Sequence, residues 1–136
     1  MHKINRSVFR YIEFELYSYD YTKKTLEEEK EDVVRATIKL DTPPAKGAIG
    51  DSTASKAIRL ATNTAILRME RMVRAIDQSL LMLEEEHNQV FELKYRQNKH
   101  WRYVASKMYI GQDTYFKKRR ELVEMVALQL GLKLEA

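Results

Sequence analysis

The spacing of apolar residues along this chain follows the period of a helix almost throughout. The first stretch, "INRSVFRYIEFELYSY", repeats apolar residues every three or four positions and predicts a helix over 4–19. A second helix is predicted over 22–39, with the acidic run "EEEKED" on its exposed side and four apolar positions, Leu26, Val33, Val34 and Ile38. The break between the two helices falls at "YSYDY", where Asp20 can cap the second helix.

The longest periodic stretch comes next and is preceded by a loop. Two prolines and two glycines in "DTPPAKGAIGD" predict a loop at 41–54, because neither residue suits a helix interior. A long helix then begins at Ser52, Thr53 or Ser55 and carries one apolar stripe: Ile58, Ala61, Ala65, Met69, Met72, Ile76, Leu80 and Leu83. The first two helices are too short to cover this stripe, so we predict that the chain forms a homo-oligomer.

The last third of the chain predicts three helices, over 84–97, 100–108 and 112–130, with Gly131 ending the third. The alternation of apolar and polar residues that marks a strand is missing from the sequence. The predicted fold is therefore all-α. It has an N-terminal helical assembly region at 1–83 and a C-terminal three-helix domain at 84–136.

Charge distinguishes the C-terminal region from the rest. The formal net charge of the 136 residues is +4. Residues 94–120 hold nine basic residues against one acid, Asp113, a net charge of +8 that leaves −4 for the remainder. A basic segment on a near-neutral or acidic body is typical of nucleic-acid binders, although a solvated helical face has the same composition.

The spacing of apolar residues within "WRYVASKMYIGQDTYFKKRR" predicts a helix-turn-helix. Ala105 is the small residue needed where the two helices cross, and Val104, Met108 and Ile110 flank the turn. Gly111 is an acceptable N-cap for the second helix, and Tyr115 is placed to return to the core. The amino-terminal end of this second helix is the part that enters the major groove in such motifs.

This geometry assigns candidate contacts to the exposed side chains. The candidates for base contacts are Gln112, Asp113, Thr114, Phe116 and Lys117. The candidates for phosphate contacts are Lys99, His100, Arg102, Lys118, Arg119 and Arg120. For Asp113, helix capping is favoured over a base contact. Trp101 and Tyr95 are predicted to be core residues, with stacking on bases as the less favoured alternative.

Two positions depart from the usual pattern of this motif. Tyr109 stands where a glycine often adopts a left-handed conformation, and Lys118 stands where an apolar residue is usual. We therefore expect the last helix to be slightly rotated, with Leu122 or Arg119 taking over the position of Lys118.

The C-terminal third, from "EHNQVFELKYRQ" to "VALQLG", is similar to the region-four domain of bacterial sigma factors. The chain more closely resembles the RinA/ArpU family of phage transcriptional regulators. The matching features are Tyr95, Trp101, "IGQDTYFKKRR", and, in the N-terminal half, "LYSYDYTKK" and "GAIGDSTASKAIRLAT". Gly111 replaces the capping serine of that pattern, and Asp51 replaces a glycine that often follows its "IG" pair.

The resemblance implies a sequence-specific activator that binds double-stranded DNA upstream of phage late genes in the cytoplasm of a bacterial host. Host RNA polymerase is a further partner that it suggests. Two alternatives remain open from the sequence. One is a small terminase-type subunit for DNA packaging, and the other is a helical adaptor that acts on the transcription machinery through its long helix.

Other classes of protein are not expected. There is no cysteine, the three histidines lie far apart, and no glycine-rich phosphate loop or paired nucleophile and histidine is evident, so we expect no enzyme, metal site or cofactor. No apolar run approaches the ~20 residues that a membrane-spanning helix needs, so no membrane partner is expected.

Overall fold

The computed structural model describes residues 4–40 and 53–132, and all of the regular secondary structure in these ranges is helical. The helices are α1 (Arg6–Tyr17), α2 (Tyr19–Leu40), α3 (Thr53–Met82), α4 (Glu85–Val90), α5 (Trp101–Met108) and α6 (Gln112–Gln129). Helix α4 continues directly into a π-helical segment, Phe91–Arg96. The predicted all-α class is therefore confirmed for the described residues, whereas Asp51 and most of the predicted loop lie outside them.

The first two helices begin and end close to the predicted positions. The side chain of Asn5 caps α1 by accepting a hydrogen bond from the Ser7 amide at 2.8 Å. The predicted break is the single residue Ser18. The prediction that Asp20 caps the second helix was wrong, because α2 already begins at Tyr19 and Asp20 lies within its first turn. An acidic side chain in a first turn still favours the helix through the helix dipole.

The chain divides into two compact units. The first contains the described residues 4–20 and 72–132, and the second contains 21–40 and 53–71. The predicted domain boundary after residue 83 stays a prediction. Within the first unit, α1 packs against both α6 and the π-helical segment.

In the second unit, α2 and α3 are joined by an ion pair of 2.7 Å between Lys30 Nζ and Glu70 Oε1. Leu26 is buried, but Val33 and Val34 are exposed, so the predicted apolar face of α2 is buried only in part. On α3, the stripe residue Ile58 is 67% exposed, and the stripe residues Ala61 and Ala65 are exposed as well. The amino-terminal half of the predicted stripe thus remains exposed in the single chain.

The core of the first unit contains residues from each of its helices and from the π-helical segment. Its fully buried members include Ile12, Leu16, Ile76, Val90, Val104, Tyr115, Leu122 and Val126. Tyr95 is also buried, as predicted, and its ring meets that of Tyr17 edge-on at 4.9 Å. Aromatic pairs at this distance add packing energy beyond their buried area. Trp101, in contrast, is only half-buried, so the prediction that it is a core residue holds in part.

Candidate nucleic-acid interface

The connection between α5 and α6 is a three-residue turn, and Tyr109 ends α5 in the left-handed conformation with φ of 57°. The Tyr109 amide donates to the Ser106 carbonyl at 3.2 Å, and the Ile110 amide donates to the Ala105 carbonyl at 3.0 Å. These two bonds form a Schellman motif, which normally places glycine at this position. Helix α6 ends in the same motif with the usual residue, Gly131, at φ 77°. Tyr109 is 96% exposed, so no packing of its side chain offsets the backbone strain.

The α6 helix begins after Gly111, which has an extended backbone and provides no side-chain cap. Gln112, Asp113 and Thr114 in its first turn are exposed, whereas Tyr115 is fully buried. Tyr115 and the buried pair Val104 and Ala105 therefore hold α6 against α5, as the sequence predicted. The amino-terminal end of α6 presents its polar side chains, together with the unpaired amides of a helix start, away from the core.

Four of the five candidate base contacts are exposed: Gln112, Asp113, Thr114 and Lys117. Phe116 differs from them because it is half-buried. Its ring centroid lies 5.4 Å from that of Trp101 and 5.1 Å from that of Tyr115. Phe116 is thus part of an aromatic cluster between α5 and α6.

Three candidate phosphate contacts, Lys99, His100 and Arg102, lie exposed at the start of α5. The His100 Nδ1 atom accepts the Arg102 amide at 3.2 Å and so caps the helix. Lys99 lies over the ring of Tyr103 at 5.3 Å, and Arg102 lies over Trp101 at 5.5 Å. In the described part of the chain, no carboxylate is within ion-pair distance of Lys99 or Arg102, so their charges remain uncompensated.

Arg119 has a different environment, because its guanidinium donates hydrogen bonds of 3.0 and 2.8 Å to the two carboxylate oxygens of Glu13 on α1. The Tyr95 hydroxyl donates to the same carboxylate at 2.7 Å. Burial alone would raise the pKa of Glu13, but these hydrogen bonds outweigh burial and hold the pKa below its ordinary value. The prediction that Arg119 is a phosphate contact stays a prediction, and two of its donors are already engaged by Glu13.

Lys118 also has carboxylate partners. Its ammonium lies 3.1 Å from Glu84 and 3.5 Å from Glu86, and its side chain is only 15% exposed. The hydrogen bond that Lys118 donates to Glu84 raises the pKa of Lys118. This arrangement accounts for a charged residue at a position where the motif usually has an apolar one, and it leaves Lys118 poorly placed as a phosphate contact. Of the two residues expected to take over this position, Leu122 is fully buried and Arg119 is paired with Glu13.

Arg120 is the third basic residue of this run and remains accessible. Its side chain is 54% exposed, and the Glu124 carboxylate lies 4.0 Å away, at the limit of an ion pair. Arg96, the last residue of the π-helical segment, is paired with Asp20 at 3.2 Å and with Glu92 at 2.9 Å. Three of the nine basic residues in 94–120 are therefore held in close ion pairs, and within the described residues the other six have no ion pair shorter than the 4.0 Å contact of Arg120.

His87 ends the sequence "EEEH" at 84–87 and has a structural role. His87 is buried, and its Nδ1 atom accepts the Glu84 amide at 3.2 Å, which closes a capping box at the start of α4. Its Nε2 atom lies 3.6 Å from a carboxylate oxygen of Glu121 on α6. Among residues 4–40 and 53–132, no group of three or more acidic or histidine side chains is arranged to hold a metal ion.

A family model described as "Protein of unknown function (DUF722)" matches residues 19–127, which is most of the chain. The chain therefore belongs to this family. No curated protein and no solved structure matches it. Within the described residues, no helix is both long enough and apolar enough to cross a membrane.

Proposed function

We propose that this member of the DUF722 family is a sequence-specific regulator of transcription that binds double-stranded DNA, with α5 and α6 as its helix-turn-helix. The observation that supports the proposal is the start of α6, where Gln112, Thr114 and Lys117 are exposed while Tyr115 in the same turn is buried. A helix held in this way presents its polar amino-terminal end to solvent. The major groove of B-DNA is about 12 Å wide and can therefore accept such a helix.

The proposed contacts follow from exposure and charge. Gln112 suits an adenine edge and Lys117 a guanine edge, and Thr114 reaches either. Lys99, His100, Arg102 and Arg120 are proposed as phosphate contacts that set the orientation of α6 without reading sequence. We assign Lys118 and Arg119 a different role. The ion pair between Lys118 and Glu84 joins α6 to the start of α4, and the ion pair between Arg119 and Glu13 joins α6 to α1. They position the reading helix.

The resemblance to the RinA/ArpU family supplies the biological part of the proposal: an activator of phage late genes in the bacterial cytoplasm, with host RNA polymerase as a second partner. The exposure of several large apolar side chains on α3, Ile58, Leu60 and Leu67, supports a homo-oligomer, since exposed apolar surface often marks a protein interface. Light scattering at micromolar concentration should give more than one chain per particle, and a strict monomer would contradict this part.

The base contacts are tested by fluorescence anisotropy with an operator duplex selected from random sequence by the parent protein. We expect Gln112→Ala and Lys117→Ala each to weaken operator binding by about 1–3 kcal/mol and to relax the preference at one base pair. The matched controls are Gln89→Ala and Lys24→Ala, which remove the same side-chain types from exposed positions on α4 and α2. If the test variants bind as tightly and selectively as these controls, the assignment of α6 as the reading helix fails.

The phosphate contacts are tested by the salt dependence of the same binding reaction. Each lost phosphate contact should lower the slope of log K against log salt by about one. Arg102→Ala and Arg120→Ala should therefore lower the slope, whereas Gln112→Ala should leave it unchanged. Affinity that hardly responds to salt would exclude DNA binding through these cations and would favour an adaptor.

A further inference from the structure

A cleft of about 430 Å³ lies within the first unit, beside the proposed reading helix but apart from its exposed first turn. Its walls come from the end of α1, the π-helical segment, the loop at 98–100 and the inner sides of α5 and α6. Sites for small molecules are commonly clefts of about 300–1,000 Å³. The volume is therefore sufficient for a ligand of the size of a mononucleotide.

The cleft has an excess of positive charge. Lys94 and Lys99 both line it, and in the described part of the chain neither has a carboxylate within 4.0 Å. The Lys94 ammonium donates to the Tyr17 hydroxyl at 2.8 Å and lies about 5 Å from two tyrosine rings. Arg119 also lines the cleft, but Glu13 offsets its charge. Two lysine charges are left without a counterion, which makes this a place for an anion.

The walls also offer aromatic surface, and one lining residue carries an unused hydrogen-bond donor. Trp101 and Phe116 are half-buried, and both line the cleft. Tyr115 lines it as well, and its buried hydroxyl has no hydrogen-bond partner among the described residues. Burial raises the pKa of Tyr115 to about 12, so this hydroxyl keeps its proton at neutral pH. Because buried polar groups nearly always have a partner, the orphaned hydroxyl points to a missing acceptor.

We propose that this cleft binds a nucleoside phosphate, with the phosphate held by Lys94 and Lys99 and the base packed against Trp101 and Phe116. Cations together with aromatic side chains are the combination that proteins use for unpaired nucleotides. The ligand is either a free nucleotide or a nucleotide of a DNA strand. Lys94 and Trp101 are not among the duplex contacts proposed above, whereas Lys99 belongs to both sets.

Trp101 is the single tryptophan of the chain, so its fluorescence reports directly on this cleft. Deoxyadenosine monophosphate should quench that fluorescence saturably. Deoxyadenosine, which lacks the phosphate, and inorganic phosphate, which lacks the base, should each bind at least about tenfold more weakly. If no saturable change occurs up to millimolar nucleotide, or if deoxyadenosine binds equally well, the proposal is overturned.

Variants separate the cleft from general charge effects. Lys94→Gln and Lys99→Gln should each weaken nucleotide binding about tenfold, and Tyr115→Phe should weaken it several-fold while removing only the orphaned hydroxyl. Lys107→Gln is the matched control, because Lys107 is an exposed lysine of α5 that does not line the cleft. Circular dichroism verifies that each variant is folded. Lysine variants that bind the nucleotide like the parent, or a control that loses as much, would refute the site.

The same proteins distinguish this proposal from the proposed function and identify the source of the nucleotide. Gln112→Ala and Lys117→Ala should lose duplex binding but retain nucleotide binding. If Lys94→Gln keeps duplex affinity while losing the nucleotide, the ligand is a free nucleotide. If it loses both, the cleft takes a nucleotide of the DNA strand itself. Nucleotide binding that disappears in Gln112→Ala would show that the site is not this cleft.

Discussion

The pairing of Arg119 with Glu13 leads to a quantitative prediction about stability. Two hydrogen bonds, of 3.0 and 2.8 Å, connect the guanidinium on α6 to the carboxylate on α1. Arg119→Met removes the charge but keeps an apolar chain against the ring of Phe9, over which the guanidinium lies at 5.0 Å. The substitution leaves Glu13 in place with only the Tyr95 hydroxyl as a partner.

The expected magnitude follows from burial. Exposed ion pairs contribute about 0–1 kcal/mol, whereas removing one partner of a buried pair costs about 3–5 kcal/mol. The side chains of Arg119 and Glu13 are 28% and 15% exposed, which places this pair between the two cases. We therefore expect Arg119→Met to lower the free energy of unfolding by about 2–3 kcal/mol.

Urea denaturation followed by circular dichroism measures this effect. Arg120→Met is a matched control from the next position of the same helix. Its ion pair is longer, at 4.0 Å, and its side chain is 54% exposed, so we expect a loss below about 0.5 kcal/mol. A double-mutant cycle with Glu13→Gln should give a coupling energy of about 2 kcal/mol. Equal losses at the two arginines, or a coupling energy below about 0.5 kcal/mol, would refute the positioning role of Arg119.

Three further predictions concern the turn between α5 and α6 and the pH dependence of folding. Tyr109→Gly should raise the free energy of unfolding, measured by thermal denaturation, by about 1 kcal/mol, because the backbone of this residue is left-handed and its side chain is almost fully exposed. A lower free energy of unfolding in the variant would show that the tyrosine side chain packs against the protein. Gly111→Ser should stabilise by a few tenths of a kcal/mol, since a Cβ there meets nothing within 4 Å and the hydroxyl can cap α6; a lower melting temperature would contradict this. The pKa of Glu13 is held below its ordinary value of 4.5, so its contribution to stability is complete above that pH and is lost as the pH falls through the lowered pKa. Glu13→Gln should consequently be less stable than the parent at neutral pH, with a gap that closes on acidification, and a constant gap from pH 7 to acid would show that ionisation of Glu13 is not the cause.

Local patterns predicted the helices well because the signals that define a helix lie within a few residues of one another. The apolar period indicated α1, α3 and α6 almost to their ends, and Gly131 marked the end of α6. The spacing of Ala105 and Tyr115 likewise predicted which side of the α5–α6 pair is buried. The prediction that Asp20 is a cap failed because helix boundaries inferred from a pattern shift by one or two residues.

The candidate site was only partly predictable. The exposed base-contact candidates follow from the helical register, so counting from Tyr115 was enough to find them. The register of the helix did not predict which of its basic residues are paired with carboxylates. A count of charge treats Arg119 and Arg120 alike, although one is bound to Glu13 and the other is nearly unpaired. No signal in the sequence links Arg119 to a residue 106 positions away.

What the sequence alone determined is the all-α class of the described residues and the sides of α5 and α6 that are buried, because both depend on interactions within one or two helical turns. Only the tertiary structure decided which cations are already neutralised and which remain available. It also brought Lys94, Trp101 and Tyr115 together in one cleft, with a π-helical segment that the apolar pattern did not indicate. Ion pairs and clefts form between helices, and the residues that meet there are determined by tertiary packing and not by spacing along the chain.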